Sequence, residues 1–452
     1  MAKTVAINPS LSLTEESGAQ SVYQKAGGIC IAIALLAVVA ALSGGAKGYS
    51  LLLMSVIIGM FFIGAVFYAL PYFKGPAGIR NNGIMFKSMT NKGTIAWILA
   101  IVLTGFYIII YWFPFMLEGL IRVFDPLSIL LSGKPADQWF MYGLFYTLAV
   151  VTMGIRFIAK NRNSRYHIIR TFSVMFFQLG FAFLVPMFLK KLNEPEFYFS
   201  YFWPLKYSYL FPSDVYSLMN SGNLGVFMVF WGAMMTFIAT PILTYKYGKR
   251  WYCSWVCGCG GLAETAGDPY RHLSDKSLKA WKIERWMVHS VLVFITVTTI
   301  LLWLNSYYKG GILGSVSGSF AQWYGFFIGA VFSGVIGVGF YPIMGSRVWC
   351  RFGCPMAAVL GIFQRFKSKF RITTNGGQCI SCGNCSTYCE MGIDVRAYAQ
   401  KGQNIVRASC VGCGICASVC PRGVLKLENG KEEGRINDNP ISIGNNNISV
   451  HL

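Results

Sequence analysis

Eight apolar stretches long enough to cross a bilayer run through this chain, at roughly 27–46, 49–73, 94–116, 138–159, 171–189, 223–245, 286–305 and 323–345. In hydrocarbon every backbone N–H and C=O must be paired within the protein, which leaves helices or a closed barrel, and runs of this length select helices. Composition agrees: 54% of the residues are hydrophobic and 13% are charged, against about 25% charged in soluble chains. An α-helical polytopic membrane protein of about eight spans is expected.

The net charge of +21 is distributed as a membrane protein requires, which argues against nucleic acid as a partner. Lys74, Arg80, Lys87 and Lys92 crowd one loop, and Lys160, Arg162, Arg165 and Arg170 another. Segment 246–285 adds eight more basic residues, whereas two of the intervening loops hold one each, Lys47 in one and Lys309 in another. The positive-inside rule then places both termini in the cytoplasm, with the chain in the inner (cytoplasmic) membrane. Glu15 and Glu16 do not suit the short basic leader of a cleaved signal peptide, so the first stretch is read as a retained span. In a reducing cytoplasm, structural disulfides are not expected.

Near the C-terminus, eight cysteines repeat one spacing: Cys379, Cys382, Cys385 and Cys389, then Cys410, Cys413, Cys416 and Cys420, the last followed by Pro421. Three thiolates of one tight loop cap three irons of a cubane, and the fourth ligand arrives from the other run. Cys379, Cys382, Cys385 and Cys420 are therefore assigned to one [4Fe–4S] cluster, and Cys389, Cys410, Cys413 and Cys416 to a second. Gly383, Gly412 and Gly414 let the backbone curl so that N–H groups point at sulfur. A zinc ribbon would show isolated C-x2-C pairs on longer arms. The expected domain is a cytoplasmic α+β two-[4Fe–4S] ferredoxin. One irregularity stands out: Glu390 occupies the place of the usual proline after the first run.

A second repeat lies upstream. Residues 248–258 align without gaps with 345–355, each reading G-x-R-x-aromatic-C-x3-C after a span that exits toward the cytoplasm. If both copies are helical, the cysteines at i and i+4 share a face, and Cys253, Cys257, Cys350 and Cys354 form one four-thiol site. Soft thiolates suit an iron–sulfur cluster or another metal, and a redox dithiol is the other chemical reading. Arg250 and Arg347 would stabilise the thiolates. Cys259 adds a C-x-C in the first copy alone, and spacing does not decide between it and Cys257.

These motifs resemble the membrane polyferredoxins grouped around the quinol-oxidising membrane subunit of the periplasmic nitrate reductase system and the regulator of nitrous-oxide respiration. That family has two C-x3-C-P motifs at cytoplasmic helix ends and then a two-cluster ferredoxin domain. Cys350, Cys354 and Pro355 match one motif in full; Cys253 and Cys257 match the other, with Gly258 in place of its proline. The resemblance covers roughly 171–425. It implies electron transfer between the quinone pool and a redox partner, as a subunit of a quinol/quinone oxidoreductase complex. A maturation or regulatory factor that reduces a metal or thiol is the alternative.

The organisation expected is a polar tail (1–26), a four-span region (27–160), a four-span redox core (171–356), a ferredoxin domain (372–430) and a second polar tail (431–452). Cys30 is read as a packing residue and His289 as an interfacial polar group, with quinone contact its minor option. Glu264 and Asp268 are read either as proton acceptors or as solvated loop charges. The aromatic segment 191–222 is expected to lie in the interfacial belt, in contact with lipid headgroups.

Overall fold

The computed structural model describes residues 21–44, 48–74, 93–314, 316–429, 443–444 and 447–448. Residues 1–20 of the first tail, most of the second, Lys47 and the basic loop with Arg80, Lys87 and Lys92 lie outside the described residues. Among the described residues eight helices are long and apolar enough to span a membrane: Val22–Leu42, Ser50–Pro71, Thr94–Trp112, Gln138–Lys160, Arg165–Lys191, Asn223–Tyr247, Leu278–Tyr307 and Val316–Ile336. The first begins before the expected residue 27, because Ser21 caps it in a capping box with Gln24. The first two spans pack through small residues: a Cβ added to Gly27 would lie 2.8 Å from the carbonyl oxygen of Gly64. Cys30 sits in the same seam, consistent with packing.

Three of the last four spans change pitch. Phe177–Leu184, Met235–Ala239 and Gly325–Ile336 are π-helical, a winding that redirects side chains and gathers at functional sites.

The aromatic segment between the fifth and sixth spans, expected in an interfacial belt, is partly buried within the bundle. It folds back into the bundle toward the cysteines, and Phe202 is fully buried with its ring edge-on to Tyr252 at 5.4 Å. Irregular backbone at such depth needs partners from neighbouring helices. Thr236 accepts from the Trp203 N–H at 3.0 Å and donates to the Trp203 carbonyl at 3.1 Å. The Trp203 indole donates to Thr299 at 3.2 Å, and the Trp231 indole to the Phe199 carbonyl at 3.4 Å.

The C-terminal segment is built on an antiparallel pair, β1 (Phe370–Thr374) and β2 (Leu425–Asn429), in register Ile372 to Leu427. Two short helices, Asn384–Thr387 and Ile415–Ser418, each start from a left-handed glycine, Gly383 at φ 80° and Gly414 at φ 84°. This segment shares one apolar core with the sixth span, the aromatic segment and both cysteine motifs: Met235, Phe202, Cys253, Cys350, Phe370 and Cys410 belong to a single buried cluster.

Candidate functional site

The two cysteine runs interleave around two cavities. Cys379, Cys382, Cys385 and Cys420 line a cavity of about 360 Å³, and Cys389, Cys410, Cys413 and Cys416 line one of about 370 Å³. These are the two quartets expected from spacing. Among the described residues no group of three or more His, Cys, Asp or Glu side chains is close enough to hold a single metal ion. A cubane holds its four sulfurs apart at separate corners, so a gap lined by thiols fits that group better than one ion. The backbone N–H of Ile393 points at Cys389 Sγ at 3.4 Å, and that of Val424 at Cys420 Sγ at 3.3 Å. Such donors stabilise negative charge on sulfur. Burial pushes the Cys385 thiol up to about 12 and Cys410 up to about 11. Buried thiols this reluctant to ionise need a cation to become thiolates, which the irons of a cluster supply.

The repeated motif adopts the same backbone twice, but not as a continuous helix. Cys253 ends the short helix Arg250–Cys253, while Cys257 is extended and caps the helix Gly258–Glu264. Likewise Cys350 lies in Val348–Phe352, and the extended Cys354 caps Pro355–Lys367. The shared-face premise therefore fails. The pairs converge because the chain turns sharply: Cys257 N–H donates to the Tyr252 carbonyl at 2.8 Å, and Cys354 N–H to Trp349 at 3.0 Å. The motif glycines make an earlier bend, at the exit of the helix that precedes each motif. Gly248 and Gly345 stand at φ 69° and 91°, and a Cβ on Gly345 would meet Ser274 Oγ at 2.3 Å.

All four thiols meet in one core, with Cys253, Cys350 and Cys354 buried and Cys257 packed against them. Burial pushes Cys253 up to about 12 against the pull of Lys249. Cys257 moves the other way, lowered by its hydrogen bond with the Cys259 thiol and by the Gly260 N–H at the helix start. Cys257, not Cys259, is the positional equivalent of Cys354. Gly258 stands where proline was expected, and a Cβ there would lie 2.7 Å from Gln178 Oε1.

Buried charges join this site to the second cavity. Arg347, fully buried, places Nη1 3.8 Å from Cys350 Sγ and 3.3 Å from the Cys253 carbonyl. Its Nη2 binds Glu264 at 2.7 Å and Glu390 at 2.9 Å. Glu390 also binds Arg271 at 2.7 Å, and Arg271 Nη1 lies 4.0 Å from Cys413 Sγ. Arg170 pairs with Glu264 at 2.8 Å and donates to the Cys413 carbonyl at 2.7 Å. Glu264 and Asp268 are thus not solvated loop charges; both are buried in ion pairs. Burial pushes Glu264 up, whereas at Glu390 the same burial is outweighed by Arg271 and Arg347, which hold it below the carboxylate range. Arg250 does not serve the thiols: its guanidinium lies 4.7 Å over the Phe370 ring. Sequence reasoning missed Arg170, Arg271 and Gln364, whose amide donates to the Arg407 and Cys410 carbonyls. His289 lies on an exposed face of the seventh span.

Residues 378–425 match the family described as 4Fe-4S dicluster domain. The C-terminal segment is an iron–sulfur ferredoxin domain. Residues 229–278 and 324–373 each match the family described as 4Fe-4S binding domain, one match for each copy of the motif. YccM of Escherichia coli (strain K12), whose name places it provisionally in electron transport, is 24% identical over 170 residues, covering 36% of this chain. The uncharacterized protein MJ0749 of Methanocaldococcus jannaschii is 25% identical over 168 residues, again 36% of the chain. The matches span 47% and 59% of these relatives' own lengths. No solved structure matches the chain. Iron–sulfur domains on a bundle of candidate membrane helices support a general electron-transfer role.

Proposed function

We propose that the protein passes electrons between the membrane quinone pool and a protein redox partner, through the site of Cys253, Cys257, Cys350 and Cys354 and two [4Fe–4S] clusters. Cys379, Cys382, Cys385 and Cys420 would hold one cluster; Cys389, Cys410, Cys413 and Cys416 would hold the other. Bound there, the clusters supply one-electron acceptors. The observation that carries the reading is continuity: Arg347, Glu390 and Arg271 run unbroken from Cys350 Sγ to Cys413 Sγ inside one core. The setting proposed is the inner membrane, with the ferredoxin domain cytoplasmic and the chain a subunit of a quinol/quinone oxidoreductase complex.

A second reading, a maturation or regulatory factor that reduces a metal or thiol, is favoured by one observation. The hydrogen bond from Cys259 lowers Cys257 toward the thiolate, which suits a dithiol.

Serine at Cys350 or Cys253 separates structure from electron flow. The variants should keep both clusters, because these cysteines lie outside the ferredoxin runs, and lose cluster reduction by quinol, followed by paramagnetic resonance. Serine is a harder ligand and forms no disulfide, so the loss is expected whether the site works as a metal centre or as a dithiol. Wild-type rates in both variants would sink the conduit.

A further inference from the structure

Between the re-entrant aromatic segment and the eighth span lies a cavity of about 870 Å³, counted with its open mouth. Trp349 and Pro355 form one wall. Each is the chain neighbour of a motif cysteine, Cys350 or Cys354, so whatever fills the cavity sits beside the second thiol pair. Tyr198, Tyr201, Tyr207 and Tyr324 line much of the rest, beside Leu205, Ile328 and Ser333, with the Tyr207 and Tyr324 rings centred 4.9 Å apart.

Three features mark the space as built. Tyr324 is 1% exposed and lines the cavity, yet its hydroxyl has no hydrogen-bond partner in the protein. A buried phenol O–H is normally paired, and beside this cavity the Tyr324 hydroxyl is placed to donate to an oxygen held there. Lys206 lines the same space, its ammonium 3.8 Å over the Tyr201 ring. It adds a cationic donor where the remaining walls are largely aromatic. The eighth span gives way to make the room: it is π-helical over Gly325–Ile336, and a Cβ on Gly325 would come 2.5 Å from the Tyr207 hydroxyl. Glycine there lets the span pass close to Tyr207.

We infer that this cavity binds the ring of an isoprenoid quinone, with Tyr324 and Lys206 donating to its carbonyl or hydroxyl oxygens and Tyr207 and Trp349 flanking its faces. The assignment rests on the quinone reading proposed above and gives it a place. A lipid acyl chain would fill the volume but offers no acceptor to Tyr324. Oxidation of a quinol there leaves the quinone and releases two electrons and two protons. The clusters that the two cysteine quartets would hold would take up the electrons, one each, and the protons leave to water through the mouth.

The test uses the full-length, cluster-loaded protein in lipid nanodiscs, with an azido-quinone as photolabel and a quinol analogue as donor. Label is expected on peptides within 198–207 or 324–333. Tyr324→Phe, which removes only the hydroxyl, should raise the KM for quinol roughly tenfold, the worth of one buried hydrogen bond. Gly329→Leu, which fills the cavity, should abolish labelling and quinol-driven reduction while dithionite still reduces both clusters. Should Gly329→Leu fail to fold, Tyr324→Phe and the label decide. Wild-type labelling and KM in Tyr324→Phe, or label confined elsewhere, would overturn the site while leaving quinol chemistry intact. A wild-type protein that the azido-quinone does not label and quinol does not reduce would overturn the quinone reading itself, and the site with it.

Discussion

Glu390 shows how one residue can tie two cysteine sites together. It is fully buried between Arg271 and Arg347, where a carboxylate is tolerated only because both guanidinium groups face it. Glu390→Gln leaves those cations short of an anion, and a loss of about 3 kcal/mol is expected. The midpoint potential of the cluster at Cys389, Cys410, Cys413 and Cys416 should also rise, because a nearby negative charge is gone. Paramagnetic resonance during a redox titration checks this; an equal shift at the other cluster would mean that the whole domain had moved instead. Asp268 gives a pH prediction. Burial alone would raise its carboxyl, but Lys160, Arg271 and Arg156 outweigh burial and bring it down to about 2 from 3.8. A depressed folded-state value stabilises the fold above the unfolded value and is lost as pH falls through the folded one. Asp268→Asn should therefore lower stability at neutral pH by about 2 kcal/mol. The gap between the two proteins should close only between about pH 4 and pH 2, read as the difference in thermal unfolding midpoints. A gap already closed at pH 6 would contradict the ion-paired Asp268.

Among the elements, the re-entrant segment was the least legible. Its aromatic composition suits an interfacial belt and a buried plug equally well, because both settings favour large rings with polar tips. What distinguishes them is hydrogen bonding at membrane depth. Thr236 is the hinge of that pairing, serving both the N–H and the carbonyl of Trp203. Thr236→Val keeps the shape and removes the hydroxyl, leaving both backbone groups unpaired, and about 2 kcal/mol of destabilisation is expected. Thermal unfolding in detergent measures it. An unchanged midpoint would show that the segment finds other partners. The cysteine motif presents the opposite case: its chemistry was readable and its conformation was not. An i, i+4 spacing suggests one helix face, yet positive φ at Gly248 and Gly345 and a sharp turn before Cys257 and Cys354 bring the thiols together by another route.

For the whole molecule, orientation in the bilayer follows from where cations gather. Reporter fusions at positions 310–320 should score external and fusions after 430 internal; an external C-terminus would reverse the topology proposed. Part of the cationic surplus is consumed inside the protein, since Lys160 and Arg170 of one basic loop pair with Asp268 and Glu264, so loop counting overstates the charge offered to lipid headgroups. The sequence by itself determined the eight spans and the two cysteine quartets. Both signals are local: apolar length is measured along one helix, and a chelating loop closes within a few residues. Only the tertiary structure decided that Arg170 reaches Cys413, that Phe202 lies against Tyr252, and that Tyr324 is left without a partner beside Trp349. Buried charges and irregular backbone at membrane depth are stable only when distant parts of the chain supply their partners, and no local pattern records which parts those are.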